Sequence, residues 1–520
     1  MDMKRRDALA PDINLDDITS SKKNAEVLRR LRDNIIWEDN NTLYIEEEEQ
    51  DYFDCDMFTI RERDDLSWVG YFIGRNQSLY DLTMKLPEER EQIGAFIEGI
   101  SCNRSLSVFS FDGFGTDVGL QNLCSFFREN DNLTKIFLFD CEIGRECARD
   151  LALALSQRQV NSLESLGFGS NNLGDESFAN IVQALWTQPQ LKQLCCSNNN
   201  IGRISCDALG ALLRERISNL TSLCVHDNDI DDLGIQALVP GLCNSNNLDY
   251  LSISDPITAA GLRSLSPFLQ SASCSLRTLR VSLTGLGLGD EEATTLADAL
   301  KGNKSLKTLC LPRESRRRLN MTDVGWSAFS KLLCDTSSIN NTYLSNHTLQ
   351  SIGEYPMFDT RPYLNVFLEM NAAAQKSVTK RNQEIAMQSL TRCKIFMSHP
   401  DLDMEPLFDY KLKLFPLVVD WFRKSIQLSG EEVGVWKESV PKLQCRELSA
   451  VYKFVHGMPL LISDGYWTNV LIESQTKKQR LQKQRLQAEK RRFPLMLQKA
   501  DKGIKKAEKI ERSASKRLRR

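Results

Sequence analysis

Three groups of residues in this chain are spaced as if for chemistry. Asp227-x-Asp229-x-Asp231 sets carboxylates at alternate positions, the way a calcium-binding loop opens. Such a loop needs Gly at its sixth position and a bidentate Glu at its twelfth, but Asp232 and Leu238 stand there. The run therefore reads as a turn. Gly285-x-Gly287-x-Gly289-Asp290 has the glycine spacing of a phosphate cradle but lacks the Gly-Lys-Ser/Thr ending, so it too reads as structural. The four histidines, His226, His347, His399 and His456, include no pair at metal-ligand spacing. The fifteen cysteines form no Cys-x-x-Cys pair, and no motif singles one out as a nucleophile. No catalytic residue, metal or cofactor is expected, and the chain reads as a non-enzyme.

The elements that hold these residues are set by a repeat. Leu163-x-x-Leu166-x-Phe168-x-x-Asn171-x-Leu173 is followed 28 residues later by Leu191-x-x-Leu194-x-Cys196-x-x-Asn199-x-Ile201. Apolar residues at steps of two or three face one side of a short strand and its continuing turn, and the Asn can satisfy backbone groups where the chain leaves that strand. Opening apolar residues recur at Leu79, Leu106, Leu133, Leu163, Leu191, Leu220, Leu248, Leu276, Leu306 and Ile339, 27 to 33 residues apart. Cys141 takes the Asn position in the Leu133 copy. Between strands runs a second apolar set at helical spacing, such as Phe178, Ile181, Val182 and Leu185, or Leu209, Leu212, Leu213 and Ile217.

A repeat of this length with a helix in its second half resembles the ribonuclease-inhibitor-like class of leucine-rich repeats over about residues 66 to 350. The resemblance implies an α/β horseshoe solenoid with a parallel concave sheet and outer helices. It does not fix a function, since that class serves inhibitors, GTPase regulators, cytoskeletal caps and immune sensors.

Four regions follow. Residues 1–65 are read as an acidic, partly disordered segment with a short helix near Ala25 to Ile35. Within it, Trp37 to Ile60 holds nine acidic residues and no Lys or Arg, and reads as a solvated loop or as a docking strip for the chain's own tail. Residues 66–352 form the solenoid of nine to ten repeats, with Leu66 to Phe72 as its first helix. Residues 353–470 read as a helical cap, with one further strand at Leu364 to Leu368 as an option. Residues 471–520 are a basic tail; from 476 on they hold 18 Lys or Arg against 4 Asp or Glu, while the whole chain carries only −3.

No stretch has the length of a membrane helix, and no apolar run follows Lys4, Arg5 and Arg6, so a signal peptide and membrane insertion are not expected. Cysteines at core positions suggest a reducing compartment, cytoplasmic, with nuclear import as one reading of the tail. The sequons at Asn103, Asn132, Asn219 and Asn303 stand just before strand leucines, where short polar residues are expected anyway.

The inward-facing residues of the horseshoe name the candidate surface. The middle rungs are small (Gly167, Gly169, Ser197), flanked by Phe137 and Phe139 on one side and His226, Tyr250 and Arg280 on the other. Aromatics and Arg are enriched where partners dock, so a protein partner on the concave face is the leading reading. A basic loop, Arg313, Arg316, Arg317 and Arg318, offers a grip for an acidic partner. The alternatives are regulation of a small GTPase and nucleic-acid contact through residues 476–520. The partner's identity and the oligomeric state are not legible in the sequence.

Overall fold

Each opening leucine sits at the same point of a repeated strand, turn and helix. A computed structural model describes residues 3–375 apart from 36–40, 47–56, 62–63, 86–92, 114–119, 218, 255, 283–287, 312–320 and 354–361; beyond 375 it describes residues 391, 394, 505, 508 and 512. Its contacts fall into two units, residues 1–335 with 344–373, and residues 336–343 with 374–520. The repeat sheet lies wholly in the first.

The strands are β1 Thr42–Glu46, β2 Met57–Thr59, β3 Asp81–Lys85, β4 Val108–Asp112, β5 Lys135–Phe139, β6 Ser165–Gly167, β7 Gln193–Cys195, β8 Ser222–Cys224, β9 Tyr250–Ser254, β10 Thr278–Ser282, β11 Thr308–Cys310 and β12 Ser351–Ile352. They form one twelve-stranded sheet in which β3 to β12 follow chain order and β1 and β2 extend the β3 side. Every adjacent pair is parallel. The apolar residue at the second position of each strand stacks rung upon rung: Ile136, Leu166, Leu194, Leu223, Leu251 and Leu279 are register partners in turn and at most 2% exposed. The helical apolar runs named above are buried against this spine.

Two polar ladders run beside the apolar one. The motif asparagines bind backbone between repeats: Asn171 Nδ2 donates to Leu138 O at 2.8 Å, Asn199 Nδ2 to Phe168 O at 2.5 Å and Asn228 Nδ2 to Cys196 O at 2.9 Å. Cys141 fills the same position, donating through its thiol to Phe139 O. The second ladder precedes the opening leucines. Asn103 donates to Ile73 O and Asn76 O and accepts from Ser105 and Leu106 N–H; Asn303 and Asn346 repeat the pattern. Asn103 and Asn303 are 0% and 4% exposed, so these two sequons are core asparagines.

The sequence-based boundaries need three corrections. Residues 1–65 carry the expected helix, Lys22–Asp33, capped by Ser21, but also a helix Met3–Leu9 and the strands β1 and β2 of the sheet, while most of the acidic stretch lies outside the described residues. Alternation along β1 sends Leu43 and Ile45 into the core, where they and Phe58 of β2 are 0% exposed. Ile339 does not open a repeat, because Ile339–Leu344 is a helix; the last strand is opened by Leu349, 0% exposed. Leu364 to Leu368 is no strand but part of the helix Pro362–Gln375, whose Asn371 continues the second ladder by donating to Leu349 O at 2.6 Å. Most of the proposed cap at 353–470 and most of the tail at 471–520 lie outside the described residues. Among the described residues no helix is long and apolar enough to cross a membrane.

Candidate functional site

The register of the sheet lines up one rung of side chains across the inner face: Ser110, Phe137, Gly167, Cys195, Cys224, Ser252, Arg280 and Cys310 are successive partners from β4 to β11. Alternation puts these on the face opposite the leucine spine. A parallel rung holds Lys135, Ser165, Gln193, Ser222, Tyr250 and Thr278.

Phe137 and Phe139 stack, with ring centroids 6.0 Å apart and planes 10° from parallel, and both are half-buried. The reason is next door. A Cβ on Gly167 would stand 2.7 Å from Phe137 Cδ1, and one on Gly169 would stand 3.0 Å from Phe139 Cδ1. The two rings therefore rest on a floor that only glycine leaves open, and their burial is shared between that floor and solvent.

Tyr250 and Arg280 are also half-buried, on β9 and β10, and burial pushes the Tyr250 phenol up. His226 follows β8; its Nδ1 meets Asp227 Oδ2 at 2.8 Å. Five residues named from the sequence thus share one face, but in two groups. Four strand spacings of about 4.8 Å part β5 from β9, so the aromatic pair and Tyr250 stand ~19 Å apart. Arg313, Arg316, Arg317 and Arg318 lie outside the described residues.

Between the groups lies a pair that sequence reasoning passed over in favour of the small floor residues. Cys195 and Cys224 are register partners, both half-buried. The Cys224 thiol beside it draws the Cys195 thiol down, with help from Ser197 and His226 against burial. Cys196, one residue along and facing the core, is instead pushed well up by burial, and Cys206 is pushed up to about 12. The signal in the sequence was Cys at equivalent positions of consecutive repeats.

The imitations of chemical motifs resolve into structure. Asp227 has φ 55°, a turn conformation, and its N–H donates to Ser254 Oγ of a neighbouring repeat. Asp231 caps the helix Asp232–Asn244 by accepting from Gly234 N–H at 2.8 Å. Gly289 starts the helix Asp290–Ala299, while Gly285 and Gly287 lie outside the described residues. Among the described residues no three His, Cys, Asp or Glu side chains are grouped to hold a metal ion.

No family model matches the chain. NACHT, LRR and PYD domains-containing protein 3 of Rattus norvegicus is 32% identical over 190 residues, 36% of this chain and 18% of that protein. The ribonuclease inhibitor of Sus scrofa is 29% identical over 181 residues, 34% of this chain and 38% of the inhibitor. A solved internalin from Listeria monocytogenes aligns over 67% of this chain and 98% of its own, at 14% identity and TM-score 0.28. The chain is a leucine-rich-repeat protein of the ribonuclease-inhibitor-like class. It spans well under half the length of either of these two curated relatives.

Proposed function

We propose that this chain is a non-enzymatic interaction protein that docks a folded protein partner on its concave face. The observation that carries the reading is the stacked, half-buried Phe137 and Phe139 pair on its glycine floor, with Tyr250 and Arg280 on the same face. Groups parted by ~19 Å suit the width of a protein interface of about 800 Å² per side, and exceed what a small ligand bridges. A sheet whose side chains are held by register loses little conformational entropy on binding. The name of the ribonuclease inhibitor assigns that relative a protein target, which agrees with a protein ligand here.

The test is capture of partners by the full chain, compared with F137A/F139A/Y250A. Loss of the partner with an unchanged circular dichroism spectrum supports the reading, and undiminished capture removes it.

The composition of the tail favours a second contact. With 18 basic against 4 acidic residues from 476 on, it suits phosphate-rich nucleic acid, and Phe493 is its one aromatic, so binding should be electrostatic rather than by base stacking. Affinity should fall at least about tenfold between 50 and 200 mM salt, and should vanish on deletion of 476–520; a salt-independent affinity would reject it.

A further inference from the structure

We propose that Cys195 and Cys224 are a modification site on the concave face, closing to a reversible cross-rung disulfide under hydrogen peroxide. The two residues are register partners on parallel neighbours β7 and β8 and so leave the sheet side by side. Adjacent strands run about 4.8 Å apart, inside the roughly 4.4–6.8 Å that Cα atoms of a disulfide span. Both thiols are half-buried and free, on the solvent side of the sheet. Cys196 is 0% exposed and directs its Sγ toward Cys224 O at 3.5 Å, so it is shut off from solvent behind the same rung. Cys310 is removed from Cys224 by the Ser252 and Arg280 rungs.

The environment supports the order of events. The neighbouring Cys224 thiol draws the Cys195 thiol down and favours its thiolate, whereas burial pushes Cys206 and Cys124 up to about 12 and about 11 and favours their protonated forms. The Cys195 thiolate attacks one oxygen of the peroxide and forms an S–O bond. The O–O bond breaks, and the departing hydroxide takes a proton to leave as water. Cys195 is then a sulfenic acid, oxidised by two electrons as the peroxide is reduced. The Cys224 sulfur attacks that sulfur and forms the S–S bond; the S–O bond breaks, and the hydroxide takes the Cys224 proton as a second water. Two thiols and one peroxide give one disulfide and two waters, and a dithiol reductant reverses the bridge.

The readout needs no partner, so it is independent of the docking reading. The full chain is treated with one equivalent of hydrogen peroxide, unfolded in excess N-ethylmaleimide and digested with trypsin, which separates Cys195 in 193–203 from Cys224 in 217–263. The expected product joins these peptides through Cys195 and Cys224, with Cys196 alkylated, and disappears after dithiothreitol. C196S should retain it, while C195S and C224S should lose it. Phenylarsine oxide, which bridges paired thiols, should protect the same two residues in the unmutated chain. A Cys195–Cys196 bridge, Cys195 sulfinate beside alkylated Cys224, or no protection by the arsenical would overturn the proposal.

Discussion

Leu223 and Lys192 show how much a single position weighs. Leu223 is 0% exposed between Leu194 and Leu251, so Leu223→Ala should open a cavity and cost about 2 to 5 kcal/mol, measured by urea unfolding. Lys192 reaches Glu164 at 2.6 Å with both side chains more than two-fifths exposed, so Lys192→Ala should cost less than ~1 kcal/mol. Asn103 is the case where a residue's appearance misleads. As a sequon it looks like surface, yet its amide serves two carbonyls and two N–H groups inside the stack. Asn103→Ala should cost at least about 2 kcal/mol through the groups left unpaired; a change under half that would deny the ladder its role. The leucines and motif asparagines were readable in the sequence because a strand's alternation fixes their direction. The burial of Phe137 was not, because it depends on Gly167 of the next repeat.

At the level of elements, carboxylates tie one helix start to the next. Asp175 accepts from Gly202 and Ser205 N–H through Oδ1 and from Ile204 N–H through Oδ2; Asp290 accepts likewise from Thr322 and Gly325 N–H. Hydrogen bonds from Ser205, Gly202 and Ile204 hold the Asp175 carboxyl below its usual range, against the opposing effect of burial. A depressed folded value gives stability that is complete above the unfolded pKa, about 3.9, and is lost as pH falls through the folded one. Asp175→Asn should therefore lower the unfolding free energy at neutral pH, measured by urea titration, by about 1 kcal/mol given solvent screening. The difference from the parent should shrink below about pH 4; a constant difference down to about pH 2 would contradict the linkage. Elements also meet where glycines allow it: a Cβ on Gly210 would lie 2.6 Å from Ala237 O, and one on Gly241 2.5 Å from Gly210 O. Gly241→Ala should cost about 1 to 3 kcal/mol by forcing the helices apart. The repeat period found most strands but misplaced the last, because the segment between Leu306 and Leu349 is longer than any other unit and Ile339 happened to fall near the expected spacing.

For the whole molecule, the N-terminal region is part of the stack. Removing residues 1–60 would strip β1 and β2 and bare the β3 edge, so the shortened chain should melt several degrees lower and self-associate in size-exclusion chromatography. An unchanged melting curve would mean that these strands add nothing to the array.

The sequence by itself determined the repeat, its apolar spine and the direction in which each strand residue points, because these follow from periods of two and 3.6 that are local to the chain. Only the tertiary structure decided which rungs become neighbours. That the Phe137 ring rests on Gly167, that Asn103 is enclosed, that Cys195 meets Cys224 and that Thr42–Glu46 and Met57–Thr59 join the sheet all depend on lateral register between segments distant in sequence. Register is set by the packing of whole units against one another, which no single segment encodes.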